Sequence, residues 1–234
     1  MPFSTILGKS VTALAINRFN ARHAVSHVLD IGPGVGTYAR LLRPILPKAR
    51  FTAVEVWGPY VKEYGLEAVY DEVHVADARR FDYGALPRGG IALLGDVIEH
   101  MTRDEAQQLV MRILLVCDAI YIAIPIGEWP QGEYEGNPWE AHIGSYSTED
   151  MHRVFPFVGC EMMFKTRGDD GTGLFVLARR EDIRAQACQA FLEAANVVQA
   201  NQELVNCGLP GLPEFTDPAV VETFHAAVSP HLVP

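Results

Sequence analysis

Basic residues are scarce in this chain: 19 Lys and Arg stand against 29 Asp and Glu, a formal net charge of −10. Nucleic acid and anionic membrane both require clustered Lys and Arg, so neither is an expected partner. Cysteine is scarce too. Cys117, Cys160, Cys188 and Cys207 are widely spaced, with no C-x-x-C pair and no His cluster at metal-ligand spacing. That speaks against a disulfide framework or a zinc site, so buried thiols in a reducing compartment are expected and no metal is. No apolar run approaches the roughly 20 residues of a membrane span, and the first residues show no basic region leading into a cleavage site. The expected location is the cytoplasm. There is no internal repeat and no low-complexity stretch. What is present is an ordinary globular composition, 234 residues with 49% hydrophobic and 21% charged, enough for one sizeable core with an appendage.

The stretch that organises the rest is Val28 to Leu42, VLDIGPGVGTYARLL. A short apolar run ends in an acid, breaks into Gly32-Pro33-Gly34-Val35-Gly36, and resumes with helical spacing through Tyr38, Leu41 and Leu42. It reads as strand, turn and helix. Glycines permit the sharp turn and let a ligand approach the backbone, and the helix start offers free N–H groups to an anion. Tight packing alone also explains such a turn. The spacing is informative, because a dinucleotide fingerprint places its third glycine one position later than Gly36, which argues against NAD or FAD and towards another adenosyl ligand.

The pattern of a short apolar run closed by a carboxylate recurs in Phe51–Glu55, Val73–Asp77 and Ile91–Asp96. Strands alternating with helices predict βαβ units, a parallel sheet and one rim carrying every strand's carboxyl end. Asp30, Glu55, Asp77 and Asp96 are therefore expected to converge on a cleft there. Any one of them alone reads equally as a solvated strand end or a cap; four in phase do not. A carboxylate after the second strand suits both hydroxyls of a ribose, which is the role expected of Glu55, while Asp77 and Ala78 suit an adenine.

Residues 1–25 are expected to form a leading helix beside the cleft. Thr102 and Glu105 predict a capping box opening a helix through Val116. Tyr121–Pro125 predicts a fifth strand stopped by Pro125. A long loop to Tyr146 follows, holding Trp129, Tyr134, Trp139 and His142; loops of this length are usually functional. Its aromatics, with Tyr146, either line an acceptor pocket or pin the loop to the body. Ser147 with Asp150 caps a short helix, and Val158–Thr166 and Leu174–Arg179 flank a turn at Gly168–Gly173 as an antiparallel hairpin. From Glu181 to Asn206, Ile183, Ala187, Phe191, Ala194 and Val198 give a helix with one apolar stripe, ended by Gly208 and Pro210, and a short helix is possible over Pro218–Val228. Residues 181–234 are read as a C-terminal extension that caps the cleft, pairs with a second subunit as a homodimer, or packs on the core.

Four motifs together resemble the class I S-adenosylmethionine-dependent methyltransferases: VLDIGPGVGTYARLL their first motif, FTAVEV their second, VHVADARRFD the adenine motif and LLGDVIEHM the fourth, common in small-molecule members. The resemblance covers residues 26–180. It implies a Rossmann-like α/β fold with a seven-stranded, mostly parallel sheet, helices on both faces and the last strand antiparallel. It implies S-adenosyl-L-methionine as cofactor, with Asp30, Gly32, Pro33, Gly34, Gly36 and Tyr38 around its methionine part. Glu55 and Val56 would take the ribose, Asp77 and Ala78 the adenine, and Asp96 and Val97 the border of the sulfonium.

Methyl transfer to a hydroxyl needs a base, and a His with near-neutral pKa suits the task. His100, just past the fourth strand, and His142 in the loop are the candidates, with Glu99 orienting the imidazole or binding substrate. A His100 that merely hydrogen-bonds backbone is the alternative. The expected activity is methylation, at oxygen rather than nitrogen, of a small molecule or glycan precursor. The rivals are a protein or peptide acceptor, and a non-catalytic adenosyl-binding assembly module.

Overall fold

The computed structural model describes residues 8–167 and 170–206, and the candidate helix over Pro218–Val228, Cys207 and the stop at Gly208 and Pro210 lie outside them. Seven strands form one sheet: β1 (His27–Ile31), β2 (Arg50–Glu55), β3 (Glu72–Val75), β4 (Ile91–Gly95), β5 (Ala119–Ile126), β6 (Val158–Arg167) and β7 (Asp170–Leu177). Their order is β3-β2-β1-β4-β5-β7-β6. β1 to β5 are mutually parallel, and β7 is inserted antiparallel between β5 and β6.

The helices are α1 (Lys9–Asn20), α2 (Thr37–Leu42), α3 (Gly58–Glu63), α4 (Arg103–Ile113), α5 (Thr148–Val154) and α6 (Glu181–Asn206). Side chains alternate across a strand, so the buried central strands feed two cores. Val28, Phe51, Leu93 and Tyr121 pack with α1, α2, α3 and α6, while Leu29, Val54, Leu94 and Ile122 pack with α4 and α5. Each fully buried Leu or Phe among them contributes about 1.5–3 kcal/mol.

The stripe of α6 is used within the chain. Ala187, Ala190, Phe191 and Ala194 are all fully buried, and Arg22 at the end of α1 forks onto both carboxylate oxygens of Glu193 at 2.8 Å. Of the three roles open to the extension, packing on the core is the one this segment fills. Among the described residues no helix is long and apolar enough to cross a membrane.

Three boundaries differ from the sequence expectation. α4 stops at Ile113, three residues before Val116, where Val116 and Cys117 donate back to the Ile113 carbonyl in a closing turn. β5 runs through Pro125 to Ile126. Its β4 neighbour has already ended opposite Ala123, so one flank of β5 is free where the proline sits. The hairpin is also tighter than expected: Gly171, Thr172 and Gly173 pair with β6 and belong to β7, because pairing to both neighbours outweighs glycine's preference for turns. The capping boxes at Thr102/Glu105 and Ser147/Asp150 form as read.

Candidate functional site: a carboxylate-lined cleft and a histidine pair

Between β1 and β4 the strand order reverses direction, and at that switch point a cleft opens beyond the carboxyl ends of the strands. Asp30, Glu55, Asp77 and Asp96 all line it. Gly32, Pro33 and Gly34 form one wall, and Tyr38, Val56, Ala78 and Val97 also reach it. Gly36 stands just behind, left-handed at the N-cap of α2, without touching the cleft. Gly32 has φ +59°, and a Cβ there would sit 3.0 Å from Val97 Cγ2, so both conformation and space select glycine.

Burial dominates the electrostatics. The Asp30 carboxyl is pushed up to about 7 by desolvation, against a hydrogen bond from the Tyr70 hydroxyl (2.6 Å) and the charge of Lys9. Glu55 is raised to about 7 for the same reason, although the Trp57 N–H donates to its Oε1 at 2.8 Å. Asp77 is the opposite case: Arg79 donates to both its oxygens and holds its pKa below the usual carboxylate value, despite an opposing cost of desolvation. The same guanidinium donates to Glu105 at 2.8 Å and lies 5.2 Å from the Trp139 ring centroid, at the cleft wall.

Three cleft residues carried no sequence signal. Lys9, 3% exposed, sits 3.9 Å from Asp96 Oδ2 with its ammonium over the Tyr38 ring. Tyr60 donates to Glu140 Oε1 at 3.1 Å, and Asn137 caps the turn that carries Trp139 and Glu140. Lys9 and Asn137 come from segments remote from the four motifs, and only tertiary packing brings them to the rim; Tyr60 follows the second motif by four residues. Lys9 requires room as well: a Cβ on Gly95 would lie 2.7 Å from Tyr38 and 3.2 Å from the Lys9 ammonium. Asp96, next along, adopts φ +56°, a left-handed conformation uncommon outside glycine.

The long loop is fastened to the body at Glu99, whose backbone carbonyl accepts from both Ile143 N–H (2.8 Å) and Gly144 N–H (2.9 Å). This clamp sets His142 beside His100, ring centroids 5.0 Å apart and edge to face. His100 lines the cleft, whereas His142 lines a second cavity with Trp129, Pro130 and Ser145. His100 Nδ1 lies 3.2 Å from the Ala141 carbonyl and His142 Nδ1 2.5 Å from that of Trp129. A carbonyl only accepts, so each Nδ1 carries a proton. Burial lowers the His100 pKa, which keeps the ring neutral.

The aromatic expectation divides. Trp139 is at the cleft and Trp129 at the second cavity. Tyr134 lies at neither; it forms a tight turn with Asn137 through paired backbone hydrogen bonds. Tyr146 lines neither cavity: it is 1% exposed, stacked on Phe155 in the core, and its backbone bridges Gly127 and seals the base of the loop, so for this residue the expected place in an acceptor pocket gives way to pinning the loop.

No protein-family model matches the chain, and no curated protein sequence matches it. Solved structures do match its shape. The N-terminal domain of EvdMO1, determined in the presence of SAH and D-fucose, superposes with a TM-score of 0.54 at 13% identity, over 71% of this chain and 83% of that one. An S-adenosylmethionine-dependent methyltransferase from Clostridium acetobutylicum gives 0.54 at 9% identity, over 74% and 92%. The N-methyltransferase NodS from Bradyrhizobium japonicum gives 0.50 at 12%, over 73% and 94%. The fold is that of the class I S-adenosylmethionine-dependent methyltransferases.

Proposed function

We propose that this chain is an S-adenosylmethionine-dependent methyltransferase acting at an oxygen of a small-molecule or glycan acceptor. The observation that carries the reading is the convergence of Asp30, Glu55, Asp77 and Asp96 on one cleft at the switch point of this fold. The neighbours support the cofactor: the EvdMO1 domain was determined with SAH, and the Clostridium protein is described as S-adenosylmethionine-dependent. Glu55 would accept the ribose hydroxyls, Asp77 and Ala78 the adenine, and Asp30 with the Gly32–Gly34 turn the methionine part.

The reaction is an in-line displacement. The acceptor oxygen forms a bond to the methyl carbon while the S–CH₃ bond breaks and sulfur keeps the electron pair. The protein's main contribution is holding the two atoms about 3–3.5 Å apart in line. The acceptor proton must leave as the bond forms. In the simplest form of the mechanism His100 Nε2 takes it, being neutral at pH 7 and on the cleft wall. Oxygen rather than nitrogen follows from this pairing, since a neutral amine needs no base before it attacks. The stripe Ala187, Ala190, Phe191 and Ala194 of α6 is buried within the chain, which favours the enzyme reading over an assembly module built on that face.

Calorimetric titration with S-adenosylhomocysteine tests the reading, with NAD as control. Micromolar binding, about −8 kcal/mol, that is lost in Glu55→Ala supports it; no binding, or preference for NAD, removes it.

A further inference from the structure

Glu99 is 2% exposed, and among the described residues neither carboxylate oxygen finds a hydrogen-bond partner outside its own residue. A buried carboxylate left in this state is costly unless a cation or a donor completes it. One ring nitrogen of His100, one of His142 and one oxygen of Glu99 lie within 4.8 Å of one another. We infer that Glu99, His100 and His142 form a binding site for a divalent transition-metal ion, at the boundary between the cofactor cleft and the second cavity.

The surroundings of the three residues are those of a ligand set. Metal-bound histidines generally donate the other ring N–H to a carbonyl or carboxylate, which fixes ring and tautomer. Both histidines do so here, to Ala141 and Trp129. The loop that carries His142 is tied by two backbone hydrogen bonds to the residue supplying the carboxylate, so the three side chains are held near one another. Ligand atoms around a bound ion sit closer together than 4.8 Å, so an ion would draw these side chains inward. Two imidazoles with one carboxylate suit zinc-like ions, whereas Mg²⁺ favours oxygen ligands. Sequence spacing gave no hint of this, because His142 lies on a different segment from Glu99 and His100.

Three protein ligands leave coordination positions open. An ion held there would lower the pKa of an acceptor hydroxyl; as the acceptor oxygen bonds to the methyl carbon, its proton would leave to solvent and sulfur would take the S–CH₃ electron pair. This deepens the methyltransferase reading, on which its chemistry rests, and replaces proton removal by His100 with coordination. Acceptors presenting two adjacent oxygens, such as a vicinal diol, fit best because they occupy two positions.

The test is calorimetric titration of the tag-free full-length chain, after dialysis against chelator, with Zn²⁺ and separately Mn²⁺, followed by SAH in the same samples. One ion per chain is expected, weakened at least about a hundredfold in His142→Ala and in Glu99→Gln, since even supporting partners cost 10–100-fold in affinity. Retained SAH binding in both variants shows that they fold. Absence of saturable binding of either ion overturns the site, as does binding that both variants keep. Metal binding without SAH binding leaves the site standing and removes the methyltransferase reading; SAH binding without metal does the converse.

Discussion

The Tyr70 hydroxyl donates a 2.6 Å hydrogen bond to Asp30 Oδ2, joining the end of the segment before β3 to the middle of β1 beneath the cleft. The bond favours the ionised carboxyl, yet desolvation wins and the pKa stands at about 7. Glu55 stands at about 7 as well. The free protein therefore carries two acids that stay protonated in the folded chain where the unfolded chain has already lost the protons.

The sign for stability follows. Between about pH 4 and pH 7 the folded state binds more protons than the unfolded one, so stability falls as pH rises through that window and levels off above it. Thermal melts of the ligand-free protein are expected to show this decline, reduced in Glu55→Gln. A decline of the same size in the variant would count against Glu55 as one of its sources.

Cofactor affinity is expected to run the other way. The ionised Glu55 accepts ribose hydroxyls more strongly than the acid does, so S-adenosylhomocysteine should bind more tightly at pH 8 than at pH 6, with protons released on binding. Calorimetry in two buffers of different ionisation enthalpy reads that release directly, and proton uptake would contradict the assignment.

Gly95→Ala places a methyl 2.7 Å from Tyr38 and 3.2 Å from the Lys9 ammonium. Overpacking of this kind costs about 1–3 kcal/mol. A urea midpoint lowered accordingly, together with weaker S-adenosylhomocysteine binding, is the expected outcome; unchanged binding would show that the Lys9–Tyr38 wall does not shape the cofactor pocket.

His100→Ala should keep cofactor binding and lower turnover by about 10²–10⁴-fold, the usual contribution of acid–base assistance. Loss of a metal ligand gives the same direction, and added chelator then separates the two routes: it silences the wild type only if an ion takes part. Full turnover in both His100→Ala and His142→Ala would remove this pair from the chemistry.

Phe191→Ala should destabilise the chain by about 3–5 kcal/mol, since the ring is fully buried between α6 and the core. Denaturation midpoints that do not vary with protein concentration would show that this face of α6 serves the chain and not a second copy.

The sequence by itself determined what local patterns encode. Gly32 to Gly36 announces its turn because only glycine accepts that backbone, and Asp30, Glu55, Asp77 and Asp96 announce the rim because each closes an apolar run of strand length. The caps at Thr102 and Ser147 were legible for the same reason, since a cap is written within four residues. Tertiary structure decided whatever depends on segments meeting. Lys9 reaches Asp96 only after α1 has packed, and Tyr146 enters the core only because its backbone bridges Gly127. His142 reaches Glu99 and His100 only because the Glu99 carbonyl clamps the loop. Contacts of this kind come from the packing free energy of the whole chain and leave no periodicity in the sequence, which is why the rim could be read from the residues and the histidine pair could not.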